Sequence, residues 1–239
     1  MDTVRNLTAI LVLSIAGVAK AASSDCGSDF RDLSTAQLSA HCAVRNQVNC
    51  TVVDSGVVTG SEPFGMLRYQ LMHFDDADKS AAVVLSAGVN GKLHPFICSE
   101  MEAAYYENPD RPQIIVSRYE SLLALPPVEQ GTGGPQGALL YRWVGQWRAI
   151  DLDGWQKSFA RRIAPRYTGW RGVAYDFHSM TGESFLYAPR DAHSSPSGFA
   201  KMRFVIDNGA LRLTRLSVGS SKPVFDAMCR ATPHCHSTS

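Results

Sequence analysis

The chain has 239 residues, 45% hydrophobic and 19% charged, which is one large domain or two small ones with enough length to bury a core. Nineteen Gly and 12 Pro are ordinary usage and exclude collagen-like and broadly disordered chains. Lys plus Arg number 23 and Asp plus Glu 22, a balance that excludes a polybasic nucleic-acid binder and an acidic tail protein.

Residues 6–18 form an apolar run behind Arg5 and lead into Ala19-Lys20-Ala21, a small-x-small pattern. This is the layout of a secretory signal peptide spanning 1–21. The run is too short to cross roughly 30 Å of hydrocarbon, and no later run reaches about 18 apolar residues. A periplasmic or secreted protein with no transmembrane anchor after cleavage is therefore expected. Cys26 follows Ser24-Asp25, which does not suit lipoprotein attachment. Removing 1–21 takes away Asp2, Arg5 and Lys20 and leaves basic and acidic groups equal in number. Net charge then offers no long-range steering.

The six cysteines are Cys26, Cys42, Cys50, Cys98, Cys229 and Cys235. An even count in an exported chain favours disulfides, although six Cys allow many complete pairings. Cys229 with Cys235 closes a tail that would otherwise fray. Cys42 with Cys50 is the next pairing by proximity, which leaves Cys26 with Cys98.

Ser34-Thr35-Ala36-Gln37 is a capping-box pattern and predicts a helix over 35–45. A strand is predicted over 52–58 and another over 66–74. In the latter Leu67, Tyr69, Leu71 and His73 share one face, while Arg68, Gln70 and Met72 share the other. Asp75 to Lys79 reads as a solvated turn, and 81–87 as a buried strand broken by Gly88 and Asn90-Gly91. Ser99-Glu100-Met101-Glu102 is a second capping box and predicts a short helix that ends before Asn108-Pro109. Residues 114–125 read as one or two strands, followed by a Gly-rich loop at 126–137.

Residues 138–143 and 147–151 flank Gly145-Gln146, a candidate two-residue hairpin turn. That register would pair Trp143 with Arg148 and Tyr141 with Ile150. Asp153 caps a predicted helix in which Trp155, Phe159 and Ile163 recur every four residues, and Pro165 stops it. The strongest hairpin signal is Asn208-Gly209 between 202–206 and 211–218. Met202, Phe204, Ile206, Leu211 and Leu213 then share one face, and Arg203, Arg212 and Thr214 the other. Short antiparallel hairpins with a few short helices make an α+β fold the expectation. A single domain over 22–239 is preferred, with 126–137 as the place for any internal boundary.

All four Trp lie between 143 and 170. Trp143, Trp147, Arg148, Arg161 and Arg162 are the candidate ligand-binding residues, because aromatic faces and guanidinium forks suit sugar rings or an anion beside an aromatic. The alternative is that the Trp fill the core and the Arg stems cover it. Gly131 to Gly137 does not open a helix and lacks Gly-Lys-Ser/Thr, so it reads as a loop rather than a phosphate cradle. His234-Cys235-His236 with Cys229 has soft ligand types, but a disulfide competes for both thiols and no Cys-x2-Cys pair occurs. Asp151, Asp153 and Gly154 are too few for a calcium loop. No metal and no cofactor are expected. Gly-x-Ser-x-Gly, Ser-x-x-Lys and His-Glu-x-x-His are all missing, although His178, His193 and Asp191 are available. Carboxylate pairs such as Glu100 and Glu183 would need a measured separation.

Several short stretches carry a resemblance. They are Phe74-Asp75-Asp76-Ala77-Asp78, Leu85-Ser86-Ala87-Gly88, Gly131-Thr132-Gly133, and Tyr141-Arg142-Trp143 running into Gln146-Trp147-Arg148. Ile150-Asp151 with Trp155, Phe159-Ala160-Arg161-Arg162 and Gly169-Trp170-Arg171-Gly172-Val173 continue it. Over about half of the mature chain this resembles a group of uncharacterised exported bacterial proteins. The resemblance implies export and supplies no catalytic residues. It also implies that a disulfide of the group is missing here, where Ser194-Ser195-Pro196-Ser197-Gly198 stands in place of paired cysteines before Pro-Thr-Gly.

The combined expectation is a ligand-binding or envelope-associated module, with an envelope protein or a glycan as its partner and no nucleic acid. The alternative is a secreted hydrolase with a non-signature active site.

Overall fold

The computed structural model describes residues 29–45, 49–75, 79–88, 90–102, 110–117, 120–126, 128–129, 135–136, 138–192 and 195–220. The predicted leader and Cys26, Cys229 and Cys235 lie outside them. Among the described residues strand makes up 57% and helical turns 8%, with one short α-helix, so the expected α+β class is corrected to a mostly β architecture of curled antiparallel sheets.

Three curled sheets carry the fold. Sheet I has the order β1-β5-β4-β3-β2, from β1 (Leu33–Ser34), β2 (Cys50–Val57), β3 (Arg68–Phe74), β4 (Lys79–Ala87) and β5 (Lys92–Glu102). Sheet II has the order β11-β10-β7-β6, from β6 (Gln113–Val116), β7 (Ser121–Leu125), β10 (Leu139–Trp143) and β11 (Trp147–Ala149). Sheet III runs β12-β13-β14-β15 through β12 (Gly169–Asp176), β13 (Thr181–Tyr187), β14 (Gly198–Asp207) and β15 (Ala210–Ser220). A two-strand ribbon of β8 (Val128–Glu129) and β9 (Pro135–Gln136) lies between β7 and β10 in sequence, and α1 (Gln156–Ala160) precedes sheet III.

Sheet II is the middle layer. Leu123, Leu125, Tyr141 and Trp147 join a buried cluster with Tyr69, Leu71, Val84 and Ile97 of sheet I. Leu122, Ala124 and Leu140 point the other way, into a cluster with Trp155, Phe159 and the inner face of sheet III. Burial on both faces explains why 121–125 is a continuous apolar run rather than an alternating one. Sheet I is also covered on its far side, where Leu33, Leu38, Ala43 and Val44 pack on Met72, Phe74, Val83 and Leu85.

Among the described residues neither capping box opens the predicted α-helix, for a common reason. Gln37 Oε1 does accept from Ser34 N and Oγ at 3.0 Å, yet only one 3-10 turn, Thr35–Gln37, forms. Beyond it the chain is held by buried Gln70, which donates to Leu38 O at 2.5 Å and His41 O at 2.9 Å and accepts from Ala43 N at 2.7 Å. The Cys42–Cys50 disulfide ties the same loop to β2. Ser99 to Glu102 form the end of β5, paired with β4 as Ala82↔Ser99 and Lys79↔Glu102. A capping pattern contributes about 1 kcal/mol; a strand that buries Ile97 and Cys98 outweighs it. Pro95 is tolerated because β5 bulges at Phe96, between Leu85↔Pro95 and Val84↔Ile97.

In the second half, Trp155 and Phe159 are buried as their spacing predicts, but α1 is only five residues long and ends before Ile163. The 202–218 hairpin has the anticipated faces: Met202, Phe204, Leu211 and Leu213 are buried and Arg203, Arg212 and Thr214 exposed. Asn208 (φ 49) and Gly209 (φ 75) make its turn, and only backbone free to adopt positive φ at both positions closes it in that register. The 138–151 hairpin needs a correction of one residue. Trp143 pairs with Trp147 and Tyr141 with Ala149 around a three-residue loop, Val144-Gly145-Gln146, with Gly145 at φ 82.

Candidate functional site

The five predicted ligand-binding residues are divided among three places. Trp143 and Trp147 are cross-strand partners and stack with Phe64, with ring centroids 5.0–5.3 Å apart. Trp147 is 8% exposed and belongs to the core between sheets I and II, whereas Trp143 is 36% exposed at the hairpin tip. Arg148 pairs with Arg142, not with Trp143, so both guanidiniums leave the opposite face of sheet II. Arg142 pairs there with Glu120 at 3.1 Å. Turning the Gln146 amide oxygen toward Arg148 gives a hydrogen bond from Arg148 Nε at 2.9 Å. Arg161 and Arg162 follow α1, and Arg162 Nη1 donates to Leu213 O at 3.5 Å. The other two Trp are in a separate aromatic cluster. Trp155 contacts Phe159, Trp170 and Phe204, and its indole N–H donates to Tyr175 Oη at 3.0 Å.

What remains as a surface feature is an aromatic platform at the β10–β11 tip. Phe64, on the turn Glu62–Phe64, supports Trp143 from sheet I's side. Exposed Val144 follows Trp143, and exposed Met66 follows the Phe64 turn. Phe64, Met66 and Val144 carry no sequence signal beyond being apolar in loops. Only the hairpin register and the β2–β3 connection place Phe64 against Trp143.

Two groupings of Ser, His and Asp occur. His73 Nε2 lies 3.4 Å from Asp75 Oδ1, and His73 Nδ1 lies 3.4 Å from Ser80 Oγ. Ser80 is fully buried, so its hydroxyl cannot meet a substrate, and both contacts are longer than a working nucleophile–base pair. In the β12–β13 turn, Asp176 accepts from Ser179 Oγ at 2.6 Å and from His178 N at 2.9 Å. The Ser179 hydroxyl and these N–H groups hold the Asp176 carboxyl below the usual range. The His178 ring instead meets Gln113 Oε1 at 3.3 Å, so imidazole and hydroxyl are not linked. Both are turn and packing networks.

Asp191 has a similar role. It accepts from Ala188 N at 2.6 Å, from Ser197 N at 3.0 Å and from Ser197 Oγ, and it closes the 188–197 loop. These donors, Ser197 Oγ foremost, depress its pKa. Glu183 pairs with Lys201 at 3.0 Å. Asp151 Oδ1 accepts from Asp153 N, and Asp153 Oδ1 from Gln156 Nε2. Among the described residues no three His, Cys, Asp or Glu side chains gather as metal ligands, and no helix is long and apolar enough to cross a membrane. The soft-ligand tail 229–236, His193 and the 130–134 glycines lie outside the described residues.

No family model, no curated protein and no solved structure matches this chain.

Proposed function

We propose that the protein is an exported binding module of the bacterial envelope, and that it takes a glycan on the Trp143 platform. The observation that carries this reading is the graded exposure of three mutually packed rings. Trp147 is buried, Phe64 is half-buried and Trp143 is exposed at a hairpin tip. A ring braced in this way offers rigid apolar area at little entropic cost, which suits the C–H face of a sugar. Export is supported by the 6–18 leader, by the Cys42–Cys50 disulfide and by the resemblance noted above.

Intrinsic fluorescence titrated with soluble cell-wall and capsular oligosaccharides tests the proposal. Saturable binding that Trp143→Ala removes, with an unchanged melting temperature, is the expected result. Binding retained by Trp143→Ala, or no response to any glycan of the panel, overturns it. Trp147→Ala is the contrasting variant: it opens the core and lowers stability by about 3–5 kcal/mol.

A further inference from the structure

Sheet III has an outer face that the aromatic platform does not involve. Lys201, Arg203 and Val205 of β14 and Arg212 and Arg215 of β15 lie on it, all exposed. Two of the four cations are matched: Lys201 by Glu183 at 3.0 Å and Arg212 by Asp207 at 3.9 Å. Arg203 and Arg215 are different. They are direct cross-strand partners, and among the described residues neither guanidinium has a carboxylate within ion-pairing distance. Like charges placed directly opposite each other on a sheet are destabilising.

A backbone irregularity creates the pair. From Asp207↔Ala210 to Phe204↔Leu213 the hairpin is regular. Continued unchanged, that register would set Arg203 against Thr214 and turn Arg215 toward the core, opposite Met202. Thr214 is instead inserted as a bulge, its hydroxyl donates to Arg203 O at 3.0 Å, and Arg203 meets Arg215 on the outer face. Bulges that re-aim a side chain recur beside functional sites. On β13 the neighbour of Arg203 is Thr181, whose hydroxyl lies 2.7 Å from Ser179 Oγ. Glu183, two residues along β13, is paired with Lys201, and Asp176, the β12 partner of Thr181, accepts from Ser179 Oγ and the His178 N–H.

We infer that Arg203 and Arg215 form an oxyanion site that takes a phosphoryl group. Side chains whose Cβ atoms are about 5 Å apart can close two guanidinium forks on one tetrahedral anion. The flanking pairs, Lys201–Glu183 and Arg212–Asp207, leave the excess charge centred on these two residues. That arrangement suits one phosphoryl group better than an extended polyanion.

The test uses the full chain at fixed ionic strength. Inorganic phosphate is expected to raise the melting temperature saturably in the millimolar range. The double variant Arg203→Gln, Arg215→Gln should lose that response at least tenfold while folding normally. Arg215→Glu replaces the repulsion with an ion pair, so it should melt higher than the parent and ignore phosphate. Co-sedimentation separates the sources. Binding to phosphatidylglycerol vesicles but not to phosphatidylcholine assigns a lipid headgroup; phosphate binding without vesicle binding assigns a soluble phosphate ester. No phosphate-dependent shift, a shift matched by sodium chloride, or a shift kept by the double variant overturns the inference.

Discussion

Tyr69 donates its phenolic hydrogen to Asp54 Oδ2 at 2.7 Å, bridging β3 to β2. Arg111 meets the same oxygen at 3.3 Å. The strands can approach this way because Gly56 is the partner of Tyr69, and a Cβ there would sit 3.3 Å from the ring. Burial first, and the Asp54 carboxylate second, push the Tyr69 hydroxyl up to about 12. Tyr175 reaches about 12 through burial, with Asp153 and Asp151 adding to it and the Trp155 N–H opposing.

Both tyrosines are raised above their unfolded value near 10, so the neutral hydroxyl is favoured in the folded state. Their contribution is complete below that value and is lost as pH rises through about 12. Ultraviolet titration should place Tyr69 and Tyr175 among the late-ionising groups, and Tyr69→Phe and Tyr175→Phe should each lower the late amplitude by one group. A late amplitude unchanged in either variant would contradict the assignment.

Gln70→Leu should be among the most damaging single changes. It leaves Leu38 O, His41 O and Ala43 N without their side-chain partner, and a buried unpaired group costs about 1–3 kcal/mol. Urea denaturation should show a loss of about 3 kcal/mol or more. A loss below about 1 kcal/mol would mean that solvent replaces those hydrogen bonds.

The Cys42–Cys50 bond closes a short loop, eight residues in sequence separation. Chain-entropy reasoning gives Cys42→Ala with Cys50→Ala a cost of about 2.5 kcal/mol. Because Gln70 grips the same loop, the two effects should be less than additive. A double-mutant cycle with Gln70→Leu reads the coupling, and strict additivity would show that the two restraints act on separate segments.

Gly198→Ala should destabilise through overpacking. The Cβ it would add falls on the Tyr167 ring, which is buried at 5% exposure with Arg166 stacked 4.8 Å above it. A cost of about 1–3 kcal/mol is expected from thermal melts. Adding Tyr167→Phe should not relieve it, because ring carbons as well as the hydroxyl are in the way.

Legibility differed from element to element for physical reasons. The Asn208-Gly209 hairpin was readable because turn chemistry and alternation agree, and the Trp155–Phe159 stripe because its period is unambiguous. The capping boxes misled, since a local signal at Ser34 or Ser99 does not report that Gln70 or β4 will claim the same backbone. Strands β12 and β13 went unread: Gly172, Gly182 and a bulge between Arg171 and Ala174 break their alternation. The aromatic segment was visible as composition, but its division between two cores depends on which strand each Trp occupies. Arg203 and Arg212 were placed on one face from the sequence. Arg215 joins them only through the Thr214 insertion, which no periodicity announces.

Sheet II also determines how the molecule responds to cutting. Leu125 and Leu139 pair directly although they stand on opposite sides of the Gly-rich stretch, and their sheet is enclosed by apolar side chains above and below. A protease that nicks between them would sever the polypeptide without releasing either piece. The fragments would co-elute under native conditions and separate only in denaturant, and two separately expressed halves would be natural partners for complementation.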